Sequence, residues 1–354
     1  MSGENATIEV RSGEELDAKR IGQFLDGKVT GAVGTPKIRQ FPSGASNLTY
    51  LLQYPDVSLV LRRPPSGSKP KSGHDMGREY RIMQALNGHF PVPACLLFSE
   101  DEDVVGAPFY VMERVEGLLI KSEFPPELGW DKSDAAKLCT TFFDLLVALH
   151  KLDIDQVGLS DFGKADGYVT RQITGWDRRY ERAQTPDVDA FEDVRKWLLD
   201  NIPAETGRAS ILHGDFRIDN MILDRKNPFQ INAVLDWEIS ALGDPLMDLG
   251  NTLAYWTEAN DPEPMKMLAK QPSWAPGMFT RQQALEHYAS KTGIDPSGFV
   301  FYYTYGLWRL AVIIQQIYFR FYQGQTKNAA FADFAAGVNG LGNYCRQVIE
   351  RDRI

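Results

Sequence analysis

The first third of the chain divides its apolar residues into short runs separated by polar turns. Runs rich in β-branched, aromatic and other apolar side chains predict strands, and they occupy residues 37–41, 48–54, 57–62, 95–99 and 108–115. Pro55 and Asp56 predict a turn between two of these strands. Residues 77–86 predict a helix that ends before Asn87-Gly88. This part of the chain therefore predicts a small antiparallel β-sheet with one main helix.

Beyond about residue 133, apolar residues recur every three or four positions. One such stripe predicts a buried helical face over residues 134–150, and it consists of Leu138, Phe142, Leu145, Leu146 and Leu149. Further helices are expected at residues 245–255, 281–292, 299–322 and 329–351. The change of pattern predicts an α+β fold in which a strand-rich lobe precedes a larger, mainly helical lobe.

Composition argues against several classes of protein. The 354 residues are 43% hydrophobic and 24% charged, as in an ordinary globular protein. The net charge of −9 is spread along the chain and argues against nucleic acid as the main partner. Cys95, Cys139 and Cys345 lie far apart and predict neither a disulfide framework nor a zinc cluster, so a cytoplasmic location is expected. No apolar run approaches the roughly 18 residues of a membrane span, so no membrane partner is expected.

A polar cluster interrupts the helical part of the chain at His213-Gly214-Asp215, directly after the apolar residues 211–212. Asn220 follows Asp215 by five positions. A second acid, Asp236, follows the apolar run 231–235. Each acid therefore follows a short strand, which can hold it rigidly at the edge of a cleft.

These residue types suit phosphoryl transfer from ATP, which needs a group to orient the acceptor hydroxyl and oxygen ligands for Mg²⁺. We expect Asp215 to align the hydroxyl and accept its proton. Asn220 and Asp236 are expected to hold Mg²⁺ through one amide oxygen and one carboxylate. His213 is expected to shape the loop. Taken singly, each acid is more often a cap or turn residue, and only the combined spacing favours this interpretation.

Three further acidic residues follow Asp236 in the sequence: Glu238, Asp244 and Asp248. Asp248 is expected to accept hydrogen bonds from backbone amides of the loop at 213–215. Glu238 stays open between a second metal contact and a salt bridge. Together with Gly243-Asp244-Pro245 they extend the pattern beyond a lone triplet.

The combination resembles the aminoglycoside phosphotransferase/choline kinase family of the protein-kinase-like superfamily. The resemblance rests on His213-Gly214-Asp215 with Asn220, on Leu235-Asp236-Trp237, and on Asp248-Leu249. It is closest to the kinase-like domains associated with acyl-CoA dehydrogenases. It implies a two-lobed kinase-like fold, with a nucleotide-binding lobe at 1–114, a hinge at about 112–117, and a catalytic and acceptor-binding lobe at 118–354.

The resemblance also implies a nucleotide site in the first lobe. The candidate phosphate loop, which read alone is a hairpin turn, contains Ser43, Gly44, Ser46 and Asn47. Val60 is expected against adenine and Arg62 at the phosphates, where most relatives carry lysine. Glu79 is the expected partner of Arg62, and its alternative is an exposed helix charge. The backbone of Glu113 and Val115 is expected to bind the adenine edge.

The acceptor site is less defined. Aromatic and arginine side chains of the second lobe are candidates, although aromatic residues at helical spacing are more often core: Arg171, Trp176, Tyr255, Trp256, Tyr303, Trp308, Arg309 and Tyr318. Trp256 and Arg309 are the preferred two. A buried Arg309 needs an anionic partner, and an internal carboxylate and an anionic substrate both stay open.

The function expected is an ATP- and Mg²⁺-dependent phosphotransferase, a monomer or homodimer, acting on a hydroxyl of a small molecule. A hydroxyacyl-CoA-like or other anionic hydroxy compound is the preferred acceptor. An aminoglycoside-type antibiotic kinase and a non-catalytic nucleotide-binding module remain alternatives. A dinucleotide-dependent oxidoreductase is disfavoured because no G-x-G-x-x-G fingerprint follows a strand.

Overall fold

The structure is a computed structural model that describes residues 7–42, 47–65, 74–204, 207, 209–326 and 328–354. The chain separates into two compact units. The first contains Met1–Ile120, Asp155–Leu159 and Asn220–Ser240, and the second contains Lys121–Ile154, Ser160–Asp219 and Ala241–Ile354. The assignment of nucleotide binding and acceptor binding to lobes meeting near residues 112–117 stays a prediction.

Both units mix helices with short strands, numbered here in chain order. The strands are β1 (Lys37–Gln40), β2 (Leu48–Gln53), β3 (Ser58–Arg63), β4 (Cys95–Ser99), β5 (Phe109–Glu113), β6 (Leu118–Leu119), β7 (Ser210–Leu212), β8 (Met221–Leu223), β9 (Ile231–Val234) and β10 (Ala241–Gly243). The helices are α1 (Ala18–Leu25), α2 (Met76–Leu86), α3 (Glu102–Val105), α4 (Lys132–Lys151), α5 (Tyr168–Arg182), α6 (Glu192–Asp200), α7 (Pro245–Ala254), α8 (Glu263–Lys266), α9 (Arg281–Thr292), α10 (Phe299–Tyr322) and α11 (Phe334–Arg351).

The first unit is built on an antiparallel sheet of five strands in the order β1-β2-β3-β5-β4. In the central ladder Tyr50 pairs with Leu61 and Leu52 pairs with Leu59, and these four side chains belong to one buried core. Because side chains alternate along a strand, Arg62 lies on the opposite face of β3. A second sheet of this unit has the order β6-β8-β9.

The second unit is a helical assembly centred on α10. This helix packs against α7, α11 and α5, and most of its 24 residues are buried. A short ladder of β7 with β10 lies beside α4 and α7. The ladder places the loop after β7 and the start of α7 in the same unit, since α7 follows β10 after one residue.

The structure differs from the sequence-based expectation in its polar helices. α1 lies in a part of the chain that predicted strands and turns, and it buries only Ile21, Gly22 and Leu25. α5 carries four arginines and buries three of 15 residues, so its apolar stripe is too narrow for the pattern of the sequence alone to predict a helix. The last helix begins at Phe334 rather than Ala329, because a 3-10 turn over Ala329–Phe331 precedes it.

Two further features concern the length of the helices and the state of the cysteines. In the described part of the chain, none of the helices combines the length and the apolar character that crossing a bilayer requires. Cys95, Cys139 and Cys345 are all buried free thiols.

Candidate active site

A loop at the end of β7 carries the His213-Gly214-Asp215 triplet and is held by Asp248 of α7. The Asp248 carboxylate accepts hydrogen bonds from the amides of His213 (2.8 Å) and Gly214 (2.7 Å), and it lies 3.2 Å from Nε2 of His150. Burial opposes the charge of Asp248, but the hydrogen bonds and nearby histidines outweigh it, so its pKa is lowered. The predicted role of Asp248 as an anchor for the loop is confirmed.

His213 is fully buried and contacts the loop itself. Its Nδ1 accepts a hydrogen bond from the amide of Asp215 at 3.2 Å, and its ring packs edge-on against Phe216. Gly214 between them has a φ of 84°, a conformation that favours glycine. These contacts constrain the backbone that carries Asp215, and the role of His213 in catalysis stays a prediction.

Asp215 itself is partly exposed, with 17% of its side chain accessible. Arg217 lies 3.4 Å from the Asp215 carboxylate, 3.0 Å from the Asp219 carboxylate, and over the ring of Tyr255 at 4.7 Å. Burial, together with repulsion from Asp215, outweighs the attraction of Arg217 and raises the pKa of Asp219 to about 6. Sequence reasoning missed Arg217 and Asp219, although both lie inside the five-residue spacing that singled out Asn220.

The first unit brings together the two residues predicted to hold a metal ion. Asn220 directly precedes β8 and Asp236 follows β9 by two positions. The amide of Leu235 donates to the carbonyl oxygen of Asn220 at 2.8 Å, which continues the β8–β9 ladder. Asn220 therefore lies across from the residue before Asp236. An amide oxygen and a carboxylate are ligand types that Mg²⁺ prefers, and their joint role at a metal ion stays a prediction.

The backbone of Asp236 adopts an unusual conformation. Its φ is 72°, in the left-handed region that non-glycine residues seldom occupy. Such strain persists only where the surroundings impose it, and it concentrates at functional sites. The left-handed backbone therefore indicates that the position of the Asp236 carboxylate matters for function.

Arg62 joins three carboxylates of the first unit. Its guanidinium lies 2.8 Å from Asp236 Oδ1, 3.0 Å from Glu238 Oε2 and 3.2 Å from Glu79 Oε1. The predicted Arg62–Glu79 pair is therefore present, and Glu79 is 1% exposed rather than a solvated helix charge. Of the two alternatives for Glu238, the salt bridge is observed.

The charges of this cluster influence one another strongly. Burial, with repulsion from Asp236 and Glu238, outweighs the attraction of Arg62 and raises the pKa of Glu79 to about 7. Burial lowers the pKa of Arg62, but Glu79 and the other neighbours overcome it and raise that pKa well above its ordinary value. Arg62 therefore keeps its charge, and the pKa of Glu79 lies well above that of an exposed glutamate.

The remaining candidates for the nucleotide site have mixed outcomes. Asn47 donates to Glu238 at 2.8 Å and contacts His74 at 2.9 Å, whereas Ser43, Gly44 and Ser46 lie outside the described residues. Val60 is 6% exposed and shares the Arg62 face of β3.

The two residues expected to contact the adenine edge lie at the end of β5. Glu113 exchanges hydrogen bonds with the backbone of Ala94, accepting from its amide at 2.9 Å and donating to its carbonyl at 2.9 Å. Val115 follows the strand and is half-buried. Their adenine contact stays a prediction.

The two preferred acceptor residues differ sharply. Trp256 is fully buried, donates from Nε1 to the carbonyl of Phe279 at 2.8 Å, and packs on Phe142 and Phe143. This places Trp256 in the core and corrects its assignment to an acceptor pocket, since no face of the ring is left for a ligand. Arg309 is buried as predicted, but no carboxylate among the described residues pairs with it.

The five-stranded sheet, the helical second unit and the loop after β7 are typical of the protein-kinase-like fold. The sequence model of the phosphotransferase enzyme family matches residues 37–285, most of the chain, and the chain belongs to that family. The predicted resemblance and the α+β kinase-like fold are confirmed.

Relatives of known sequence and structure agree with this assignment. Acyl-CoA dehydrogenase family member 10 of Mus musculus is 34% identical over 91% of this chain and 30% of its own length. The Homo sapiens family member 11 is 30% identical over 99% of this chain and 45% of its own length. The chain thus spans less than half the length of these relatives.

Solved structures extend the comparison. A proposed aminoglycoside phosphotransferase from Ralstonia eutropha JMP134 is 30% identical, and the match covers 94% of this chain and 99% of that one with a TM-score of 0.79. Choline kinase from Cryptosporidium parvum Iowa II covers 95% of this chain and 96% of its own, with a TM-score of 0.62. At 13% identity, the choline kinase shows the fold alone.

Proposed function

We propose that this protein transfers the γ-phosphoryl group of ATP to a hydroxyl of a small molecule. The observation that carries the proposal is the pairing of Asn220 with the segment that ends in a strained Asp236, to which Arg62 is bonded. A simple turn requires neither the backbone pairing of Asn220 with Leu235, nor the left-handed backbone of Asp236, nor the buried guanidinium of Arg62. They supply the oxygen ligands and the cation that phosphoryl transfer uses.

Each residue then has a defined task. Asn220 and Asp236 would hold Mg²⁺, which when bound neutralises and orients the phosphates. Arg62, kept charged by its three carboxylates, would add a cation near the phosphates. The loop at Ser43, Gly44, Ser46 and Asn47 would contribute backbone amides, and Val60 an apolar surface for adenine.

Asp215 would act on the acceptor. Its carboxylate is partly exposed on a loop whose backbone is fixed by Asp248 and His213. A carboxylate so placed can accept a hydrogen bond from the acceptor hydroxyl and take its proton as the bond from that oxygen to the γ-phosphorus forms and the bond from the γ-phosphorus to the ADP oxygen breaks. His213 has a positioning task because its Nδ1 is used by the amide of Asp215.

For the acceptor we favour a hydroxyacyl-CoA-like or other anionic hydroxy compound. The relatives that carry the acyl-CoA dehydrogenase name support the hydroxyacyl-CoA-like compound. The buried Arg309 supports an anionic group on the acceptor. The name of the Ralstonia relative keeps an aminoglycoside as the alternative acceptor. A non-catalytic nucleotide-binding module is the second candidate, because position 62 carries an arginine where the kinase pattern has a lysine.

Two variants test the proposal. Asp236→Asn should abolish the Mg²⁺-dependent part of the ATP-induced rise in melting temperature, since one charged metal ligand is removed. Asp215→Asn should keep that rise but lower phosphate transfer to a responsive hydroxyl compound by roughly 10²–10⁴-fold. Asp200→Asn, at an exposed helix end, is the matched control and should change neither.

The outcomes separate the alternatives. ATP binding with no transfer to any compound in a broad panel of alcohols, hydroxy acids, hydroxyacyl thioesters and aminoglycosides would favour the non-catalytic module. Transfer by Asp215→Asn near the wild-type rate would refute the proposed base. An unchanged Mg²⁺ dependence in Asp236→Asn would refute the metal ligand.

A further inference from the structure

Arg309 and Arg281 are two buried arginines of the second unit with opposite environments. Arg281 is 5% exposed, and its guanidinium makes a bidentate pair with Asp261 at 2.6 and 2.7 Å. Arg309, in the middle of α10, is 7% exposed. Within the described part of the chain, Arg309 has neither a hydrogen bond nor a carboxylate within 4.0 Å, and its ring contact is Trp176, 5.4 Å away.

An unpaired buried charge is costly, so a protein retains one only where something else satisfies it. None of the Arg309 nitrogens is both closed off from solvent and without a hydrogen bond. Nε of Arg281, in contrast, is buried away from solvent and has no hydrogen-bond partner. The guanidinium of Arg309 therefore keeps a path to solvent at the bottom of an otherwise buried position. That is the arrangement expected of a group that receives a ligand from outside.

Aromatic side chains surround this guanidinium. Tyr305 lies one helical turn before Arg309 on the same face of α10. Tyr168 and Trp176 belong to α5, and Tyr255 ends α7. Tyr168, Trp176 and Tyr255 are half-buried rather than fully buried. Burial lowers the pKa of Arg309, but Tyr255, Tyr305, Asp215 and Tyr168 overcome it and raise that pKa, which keeps the guanidinium charged.

The cluster lies close to the proposed base. Arg217 touches both sides, since it lies 3.4 Å from the Asp215 carboxylate and stacks on Tyr255 at 4.7 Å. Tyr255 and Asp215 in turn both act electrostatically on Arg309. A small molecule that places a hydroxyl at Asp215 would extend a second group toward Arg309 along the Tyr255 ring.

We propose that Arg309 binds a carboxylate of the acceptor, so that the substrate is a hydroxy carboxylate held between Asp215 and Arg309. This inference rests on the proposed function for the identity of the ligand as an acceptor. A planar carboxylate matches the two-pronged guanidinium, and the aromatic rings suit a short aliphatic chain between the two polar ends.

A monoanion fits this site better than a phosphate group. One guanidinium supplies one positive charge, and the nearby Asp215 carboxylate already repels anions. Arg217 is committed to Asp215 and Asp219. Arg179 also lies over the Trp176 ring, at 4.5 Å, but it is exposed to solvent, so screening weakens what its charge could contribute to binding a phosphate dianion.

The test compares three probes that share one six-carbon hydroxyalkyl chain: 6-hydroxyhexanoate, 6-hydroxyhexanamide and 6-hydroxyhexyl phosphate. Affinity is measured without ATP by ligand-observed NMR titration. The wild-type protein should bind the carboxylate about tenfold or more tightly than the amide, the size of one charged hydrogen-bonded contact. Arg309→Gln should abolish that preference, Arg309→Lys should keep part of it, and Arg320→Gln, an exposed arginine of the same helix, should leave it intact.

Several results would overturn the inference. They are equal binding of carboxylate and amide by the wild type, tightest binding of the phosphate, or an unchanged preference in Arg309→Gln. Transfer of phosphate from Mg²⁺-ATP to the amide as readily as to the carboxylate would overturn the inference while leaving the proposed function in place. Carboxylate binding through Arg309 without transfer to any compound would instead overturn the proposed function and, with it, the acceptor role.

A stability measurement separates a ligand-binding arginine from a structural one. Arg309→Met should leave the melting temperature unchanged or raise it, because no internal partner is lost. Arg281→Met should lower the melting temperature, because it leaves Asp261 buried without its bidentate partner. A comparable fall in both variants would assign Arg309 a structural role and contradict the proposal.

Discussion

At the scale of single residues, Asp248 shows how one buried carboxylate fixes a catalytic loop. It accepts hydrogen bonds from two backbone amides of the loop after β7 and contacts Nε2 of His150. Nδ1 of the same histidine lies 2.7 Å from the hydroxyl of Tyr288. Removing this carboxylate would leave two buried N–H groups without an acceptor. The cost falls on both stability and the placement of Asp215.

We therefore expect Asp248→Ala to lower the free energy of unfolding by about 3 kcal/mol, and Asp248→Asn to lower it by less. The pKa of Asp248 is depressed below its ordinary 3.8, so its charge contributes stability that is present above that value and lost as the pH falls toward the folded pKa. Urea unfolding of wild type and Asp248→Asn should show a stability gap that is constant above about pH 5 and shrinks below pH 4. A gap that widens in acid would contradict the depressed pKa.

Residue-level prediction from sequence worked best where chemistry and spacing coincide. The Arg62–Glu79 pair was predicted because a cation on a strand and an acid on the next helix are expected to meet in this fold. The bonds from Glu238 to Arg62 and Asn47 could not be predicted, since they join residues 176 and 191 positions apart through tertiary folding. Trp256 was misassigned because a core tryptophan and a pocket tryptophan look alike in sequence.

At the scale of elements, α7 and α10 approach closely because glycine lies at their crossing. A Cβ atom on Gly250 would lie 2.3 Å from the carbonyl oxygen of Tyr302, and one on Gly306 would lie 2.3 Å from that of Gly250. No real Cβ atom tolerates a backbone oxygen at that distance. The contact matters for the site because α7 carries Asp248 and α10 carries Arg309.

Gly306→Ala should consequently lower the free energy of unfolding by about 1–3 kcal/mol, because α7 and α10 must separate to admit the methyl group. Gly337→Ala, in α11, is the matched control: nothing lies within 4 Å of its added Cβ. That control should raise stability by about 0.5–1 kcal/mol through the better helix propensity of alanine. Thermal and urea unfolding measure both, and equal effects of the two substitutions would refute the close crossing.

Element boundaries were predictable where the sequence marks them. α9 was predicted at Arg281–Thr292, where Thr280 and Gln283 form a capping box and Gly293 ends the helix, and α10 at Phe299–Tyr322. α1, α5 and α6 were missed because their buried faces hold only two or three residues each. Their stability depends on packing that a periodic pattern does not express.

At the scale of the whole molecule, the division of the chain is only partly visible in the sequence. The change from strand-like to helical patterning predicts two parts. It does not predict that Asn220–Ser240 belongs with the first unit, because that segment follows the loop of Asp215 without a break in sequence. The metal-ligand candidates and the proposed base consequently lie in different units, although only five positions separate Asn220 from Asp215.

The central claim is transfer of phosphate from ATP to a small-molecule hydroxyl under the control of Asp215. The most direct measurement follows the γ-phosphate of ATP by ³¹P NMR with Mg²⁺ and a panel of hydroxylated compounds that includes 6-hydroxyhexanoate. The account predicts a phosphomonoester signal with wild type and none with Asp215→Asn, while Mg²⁺-ATP still raises the melting temperature of that variant. A phosphoester formed equally by both proteins, or Mg²⁺-ATP binding by wild type without a phosphoester from any compound, would contradict it.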